Sequence, residues 1–194
     1  MAFNHPILSF SIFSPKMRTT FLFVLLTGLP FLLPAQTRHD ALLIEGYGAT
    51  YDIPDADFPA DPERVYMMLF DVLDSPGAPE DLNIKLNTVA RFLNMHARAG
   101  VPPENLKVAV VLHGGAAKDA LTDEAYQRHY QSNNPNRELL EKLRSAGVRL
   151  FLCGQSAAKR EFGREEIAEP IDVALSAMTV IATLGAEGYQ VVNW

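Results

Sequence analysis

At 194 residues the chain is long enough for one sizeable hydrophobic core and too short for two. Its composition, 48% hydrophobic and 21% charged, is that of a globular protein, with no low-complexity tract and no internal repeat. A net charge of −6 and a pI near 5.3 exclude nucleic acid and anionic membrane as main partners, because both select basic surfaces; a small soluble partner fits better.

The first segment reads as an address. Residues 17–36 (MRTTFLFVLLTGLPFLLPAQ) give a short basic start, an apolar run over 21–33, then Pro34 and Ala35, which is the layout of a secretory signal peptide. The run is interrupted by Gly28 and Pro30 and is shorter than the roughly 20 residues a spanning helix needs, so no membrane span is expected in the mature chain. The expected division is a signal peptide over 1–35, an extended lead-in arm over 36–63 rich in Gly, Pro and acidic residues, and an α/β domain over 64–194. Export across an inner membrane to the periplasm follows from that reading, with no lipidation cysteine after the run.

Residues 64–73 (RVYMMLFDVL) form a nearly continuous apolar run, the mark of a strand buried on both faces. A long helix follows over 80–99, with Leu82, Leu86, Val89, Ala90, Leu93 and Ala97 at helical spacing. Residues 106–112 (LKVAVVL) repeat the strand pattern and run into His113-Gly114-Gly115. A helical stretch over 122–130 and a second helix over 137–146, capped by the asparagines at 133–136, lead to a third strand, 148–153 (VRLFLC). A short helix is expected to begin near Ser156. A longer one is expected from Pro170 through Leu184, with Ala174, Ala177, Met178 and Ile181 on its apolar face, before a last strand over 189–192. Uniformly apolar strands alternating with helices imply a three-layer α/β/α sandwich with an open, mainly parallel sheet.

Ligands of such sheets bind outside the carboxyl ends of the strands, and two of those ends carry reactive residues. One delivers His113 with Gly114, the other Cys153 with Gly154, Gln155 and Ser156. Cys153 is the only cysteine, so an oxidising compartment offers it no partner within the chain. Placed before a glycine turn and a helix start, its thiol faces free amides and a positive dipole end, both of which favour the nucleophilic thiolate. The competing reading is a small buried hydrophobe. His113 fits a base or a hydrogen-bond donor to a sulfur-bound anion, or a loop residue bonded to a carbonyl. Asn134 and Asn136 read first as turn and cap residues, with substrate binding as the second role; Gly114, Gly154, Gln155 and Ser156 complete the candidate binding set. No G-x-S-x-G elbow, G-x-G-x-x-G fingerprint or Walker pattern occurs, so neither a serine-hydrolase triad nor a nucleotide cofactor is expected. One cysteine and scattered histidines give no metal-ligand spacing, and no metal is expected.

The blocks VAVVLHGGA, the NPN that opens a helix, LRSAGVRLFLCGQSA and SAMTVIATLGAEGYQVVNW together resemble the DsrE/DsrF-like family, specifically its exported members, over residues 65–194. The resemblance implies a DsrE-like open parallel sheet of flavodoxin-like topology and homo-oligomers, trimers or hexamers. It also implies a cysteine, here Cys153, that carries sulfane sulfur as a persulfide. Two functions of different kind therefore stand open. One is a sulfur carrier working between a small sulfur-containing donor and an acceptor protein thiol, with Cys153 and His113 as its reacting groups. The other is a non-catalytic ligand-binding or assembly module in which Cys153 is merely structural.

Overall fold

A computed structural model of the chain describes residues 38–39, 43–75, 77–169 and 171–193. The expected signal peptide and Pro170 lie outside the described residues. In chain order the elements are β1 (Arg38–His39), β2 (Thr50–Tyr51), β3 (Tyr66–Val72), α1 (Ile84–Arg98), β4 (Leu106–Leu112), α2 (Asp123–Tyr130), α3 (Arg137–Ser145), β5 (Arg149–Cys153), α4 (Gly154–Lys159), β6 (Asp172–Ala174), α5 (Ala177–Ala186) and β7 (Gln190–Val192). β1 and β2 pair antiparallel as a small ribbon. The other five strands form one sheet in the order β6-β5-β4-β3-β7, and every pairing in it is parallel.

The alternation of side chains along the strands fixes the layers. Phe70 and Val72 of β3, Val108, Val110 and Leu112 of β4, and Leu150 and Leu152 of β5 point to one face, where α1 and α3 cover them with Leu86, Val89, Leu93, Leu139, Leu140 and Leu143. Leu69, Ala109, Val111 and Cys153 point to the other face, covered by Ala177, Val180 and Leu184 of α5. The result is the expected three-layer α/β/α sandwich with an open parallel sheet. Numbered within the sheet, its order is 4-3-2-1-5. A flavodoxin sheet, 2-1-3-4-5, places its second strand outside the first, whereas this chain places its last strand there.

The expected helix over 170–184 is replaced by two elements. Asp172–Ala174 is an edge strand, β6, in register with Phe151, Leu152 and Cys153. The helix, α5, begins only at Ala177, where the Ser176 hydroxyl accepts from the Thr179 amide at 3.1 Å. Three strand residues are too few to show a period, so in the sequence Ala174 merges with the helical pattern that follows. The buried stripe of α5 is accordingly Ala177, Val180 and Leu184, and Met178 stands 76% exposed. α1 likewise starts later than its pattern, at Ile84, because Asn83 caps it by accepting from the Lys85 amide.

The residues ahead of β3 pack on α1. Asn94, fully buried, accepts from the amides of Leu43 and Ile44 and donates to the carbonyls of Ile44, Tyr47 and Gly48. Two residues further on, burial pushes the His96 imidazole below its ordinary 6.5, opposed by the bond between Nδ1 and the Phe92 carbonyl. The folded state therefore binds the proton less well than the unfolded state does. The stability His96 contributes is present above pH ~6.5 and is lost as pH falls from there through the lower folded value. Replacing His96 with Phe, which keeps an aromatic ring against Tyr66 and Phe92, should flatten the slope of urea stability in that mildly acidic window. An unchanged slope would assign it to other groups.

Candidate functional site

Three parallel strand ends supply the candidate site. Leu112 and Leu152 are register partners, so continuing β4 and β5 by one residue sets His113 beside Cys153, and alternation turns both toward the face of α5. β3 contributes Asp71, register partner of Val111 on the same face.

Cys153 ends β5 and caps α4. It is 5% exposed, and the chain around its sulfur is built from donors. Burial of the sulfur opposes ionisation. The Ser156 hydroxyl and the backbone amides of Ala177, Ser156 and Gln155 outweigh it, so the thiol ionises below the ordinary cysteine value. The amides come from the first turns of two helices, α4 and α5, whose free N–H groups have no partner within their own helix. Ser156 Oγ also accepts from the Gly114 amide at 3.0 Å, which orients the hydroxyl as donor toward sulfur.

The glycines are needed for closeness. A Cβ on Gly154 would lie 2.7 Å from the Ala174 carbonyl oxygen, so only glycine lets α4 start against β6. Gly114 adopts φ +52°, and a Cβ there would lie 2.6 Å from the Leu73 carbonyl oxygen. Its own carbonyl accepts from Arg160 Nε at 2.8 Å.

His113 is held by Asp71: Nε2 and Oδ1 are 2.7 Å apart, with 20% and 16% of the two side chains exposed. Cys153, His113, Gly114, Gly154, Gln155 and Ser156 are thus brought together. Gln155 takes part through its amide, while its side-chain Nε2 reaches the Leu175 carbonyl at 3.4 Å.

Asn134 and Asn136 are placed elsewhere. Asn134 Nδ2 donates to the carbonyls of Asp119 and Leu121, and Asn136 Oδ1 accepts from the Asn83 amide at 2.7 Å. Asn83 in turn donates to the buried Asp119 carboxylate, at 2.7 Å, which Ser75 also contacts. Both asparagines are pins: Asn136 ties the segment before α1 to the start of α3, and Asn134 ties the segment between β4 and α2 to it. Asn134 also lines a cleft of about 630 Å³ with Asp123, Arg137 and Glu138, and neither Cys153 nor His113 reaches it. Among the described residues no three His, Cys, Asp or Glu side chains are grouped to hold a metal, and no helix is long and apolar enough to cross a membrane.

Two contributors were not anticipated. Asp71 was visible as the one acidic residue inside an otherwise apolar strand run. Ala177 acts only through its amide, so no side-chain signal announces it.

The arrangement can hold a thiolate in a ring of N–H and O–H donors, next to an imidazole paired with a carboxylate, at the carboxyl ends of parallel strands. The family model of the DsrE/DsrF-like family matches residues 67–194. No curated protein matches the sequence. Among solved structures, a protein of unknown function, MTH1491 from Methanobacterium thermoautotrophicum, is similar at 16% identity with a TM-score of 0.51, covering 66% of this chain and 97% of that one. The ychN protein from E. coli is 16% identical with a TM-score of 0.47, covering 66% of this chain and 99% of its own. The first of these likenesses bears on the fold alone.

Proposed function

Because the chain belongs to the DsrE/DsrF-like family, we propose that it is a sulfur carrier whose working atom is the Cys153 sulfur. The thiolate attacks the sulfane sulfur of a donor persulfide, a new S–S bond forms at Sγ, and the donor's thiolate leaves. Cys153 then holds a persulfide, and an acceptor thiol removes the outer sulfur. The observation that carries this reading is the place of the sulfur, at the end of β5, at the cap of α4 and beside the start of α5, where the Ser156 hydroxyl and helix-start amides favour its ionisation.

Incubation with polysulfide followed by intact mass measurement tests it. The wild type should gain the mass of added sulfur and lose it to a reductant, and Cys153→Ser should gain none. Equal gain by both proteins would refute the carrier. The second reading, a binding or assembly module with a structural cysteine, is favoured by the 5% exposure of Cys153. It requires that thiol reagents label the sulfur only after unfolding.

Export to the periplasm is part of the proposal and rests on the signal-like pattern over 17–36. Assembly into homo-oligomers is supported by Leu175 and Met178, 72% and 76% exposed, which precede and open α5 on the sheet face that this helix covers among the described residues.

A further inference from the structure

The sulfur and the imidazole at this site answer to different partners. Cys153 takes its hydrogen bonds from Ser156, Ala177 and Gln155, and none from His113. Those donors favour its thiolate without help from the ring. His113 is engaged by Asp71 instead, Nε2 to Oδ1 at 2.7 Å. A carboxylate bonded to one ring nitrogen holds the proton there and leaves the lone pair on the other. That other nitrogen, Nδ1, makes no hydrogen bond among the described residues.

Resting on the carrier reading above, we propose that Asp71 is a positioning residue that holds His113 as the base for the second half of the transfer. His113 Nδ1 takes the proton of the acceptor thiol as that thiol attacks the outer sulfur of the Cys153 persulfide. A bond forms between the acceptor sulfur and the outer sulfur, and the bond from the outer sulfur to Sγ breaks. The electron pair returns to Sγ, where the same four donors receive it, and the imidazolium releases its proton to water. The sulfane sulfur moves without a net change of oxidation state, so no further oxidant or reductant is required.

Beyond the ring, Asp74 lies against Gly115 and is paired with Lys85 at 2.6 Å. Around the ring, β3 supplies Asp71, β5 supplies Cys153, and Arg160 of the turn after α4 bonds the Gly114 carbonyl. α5 and β7 carry no titratable side chain, and Asp172 of β6 pairs in register with Phe151, at the far end of its strand from Cys153.

The test separates loading from unloading. Protein loaded with polysulfide and freed of excess reagent is mixed with N-acetylcysteine, and loss of the sulfur mass is timed across pH. Asp71→Asn should slow unloading at neutral pH by about 10²-fold, the scale of a lost general base, while slowing loading far less. The deficit should shrink as pH rises and the acceptor thiol ionises in bulk water. Asp71→Glu should retain part of the rate. His113→Gln should reproduce the split, and it serves as the second variant should Asp71→Asn fold poorly by circular dichroism. Equal slowing of loading and unloading, or a deficit that does not change with pH, would overturn the assignment while leaving the carrier intact. A wild type that never loads would remove the carrier reading and this role with it.

Discussion

Gly154→Val is expected to lose about 2 kcal/mol of stability by overpacking and, in the protein that remains folded, to make Cys153 ionise less readily, at a higher pH than in the wild type. The position of a Cβ here is occupied: the Ala174 carbonyl oxygen lies 2.7 Å away, Val173 Cγ1 3.4 Å and the Leu175 carbonyl oxygen 3.5 Å. Either β6 retreats or the first turn of α4 shifts. The amides of Gln155 and Ser156, which follow at once in that turn, then move off the sulfur they stabilise. Alkylation of Cys153 by iodoacetamide as a function of pH reads the outcome as a midpoint displaced to higher pH. Ser156→Ala provides the comparison. It removes the hydroxyl donor without crowding the backbone, so its midpoint should rise with little loss of stability. A folded Gly154→Val protein that alkylates like the wild type would show that the helix-start amides are not what ionises this thiol.

Asn94→Leu is expected to cost about 3 kcal/mol and to lower Tm by roughly 10 °C. The amide of Asn94 answers five backbone groups of residues 43–48, and Leu answers none. Ile44 is fully buried, so its N–H and C=O would be left without partners away from water, or the whole segment would detach from α1. Limited proteolysis should cut near residues 43–60 in the variant under conditions where the wild type resists. Sulfur loading at Cys153 should persist, because Asn94 packs on the opposite side of the sheet. Unaltered thermal stability and cleavage would mean that this segment contributes nothing to the domain.

The central strands were legible because burial on both faces leaves an unbroken apolar run, and the 106–112 run coincides with β4 to the residue. The place of Cys153 followed from the same pattern, since a run that stops at a glycine marks a strand end. What the pattern hid has two causes. β6 has three residues at a sheet edge, of which Asp172 and Val173 are exposed, so no hydrophobic period distinguishes it from the helix behind it. The donors around the sulfur are mostly main-chain amides, and an amide has the same identity in every residue. The Asn94 anchor was hidden for a related reason: a buried asparagine at a helical core position reads as a polar interruption until the backbone it serves is in view. Asn134 and Asn136 show both sides of this: the turn in which the Asn136 amide donates to Asn134 Oδ1 is local and readable, whereas the bonds of their side chains to Asp119, Leu121 and Asn83 reach distant backbone, and the Asn136 side chain does not cap α3.

The strand order carries a consequence for how the molecule comes into being. β3 lies between β4, which follows it closely, and β7, whose pairing of Gln190, Val191 and Val192 with Met68, Leu69 and Phe70 joins distant stretches of chain. Until those late residues arrive, the backbone of β3 stays bare along one side, able to accept a stranger's strand in their place. The sheet thus remains unsealed on that side until the segment of β7 has been made, and those three residues act as its latch.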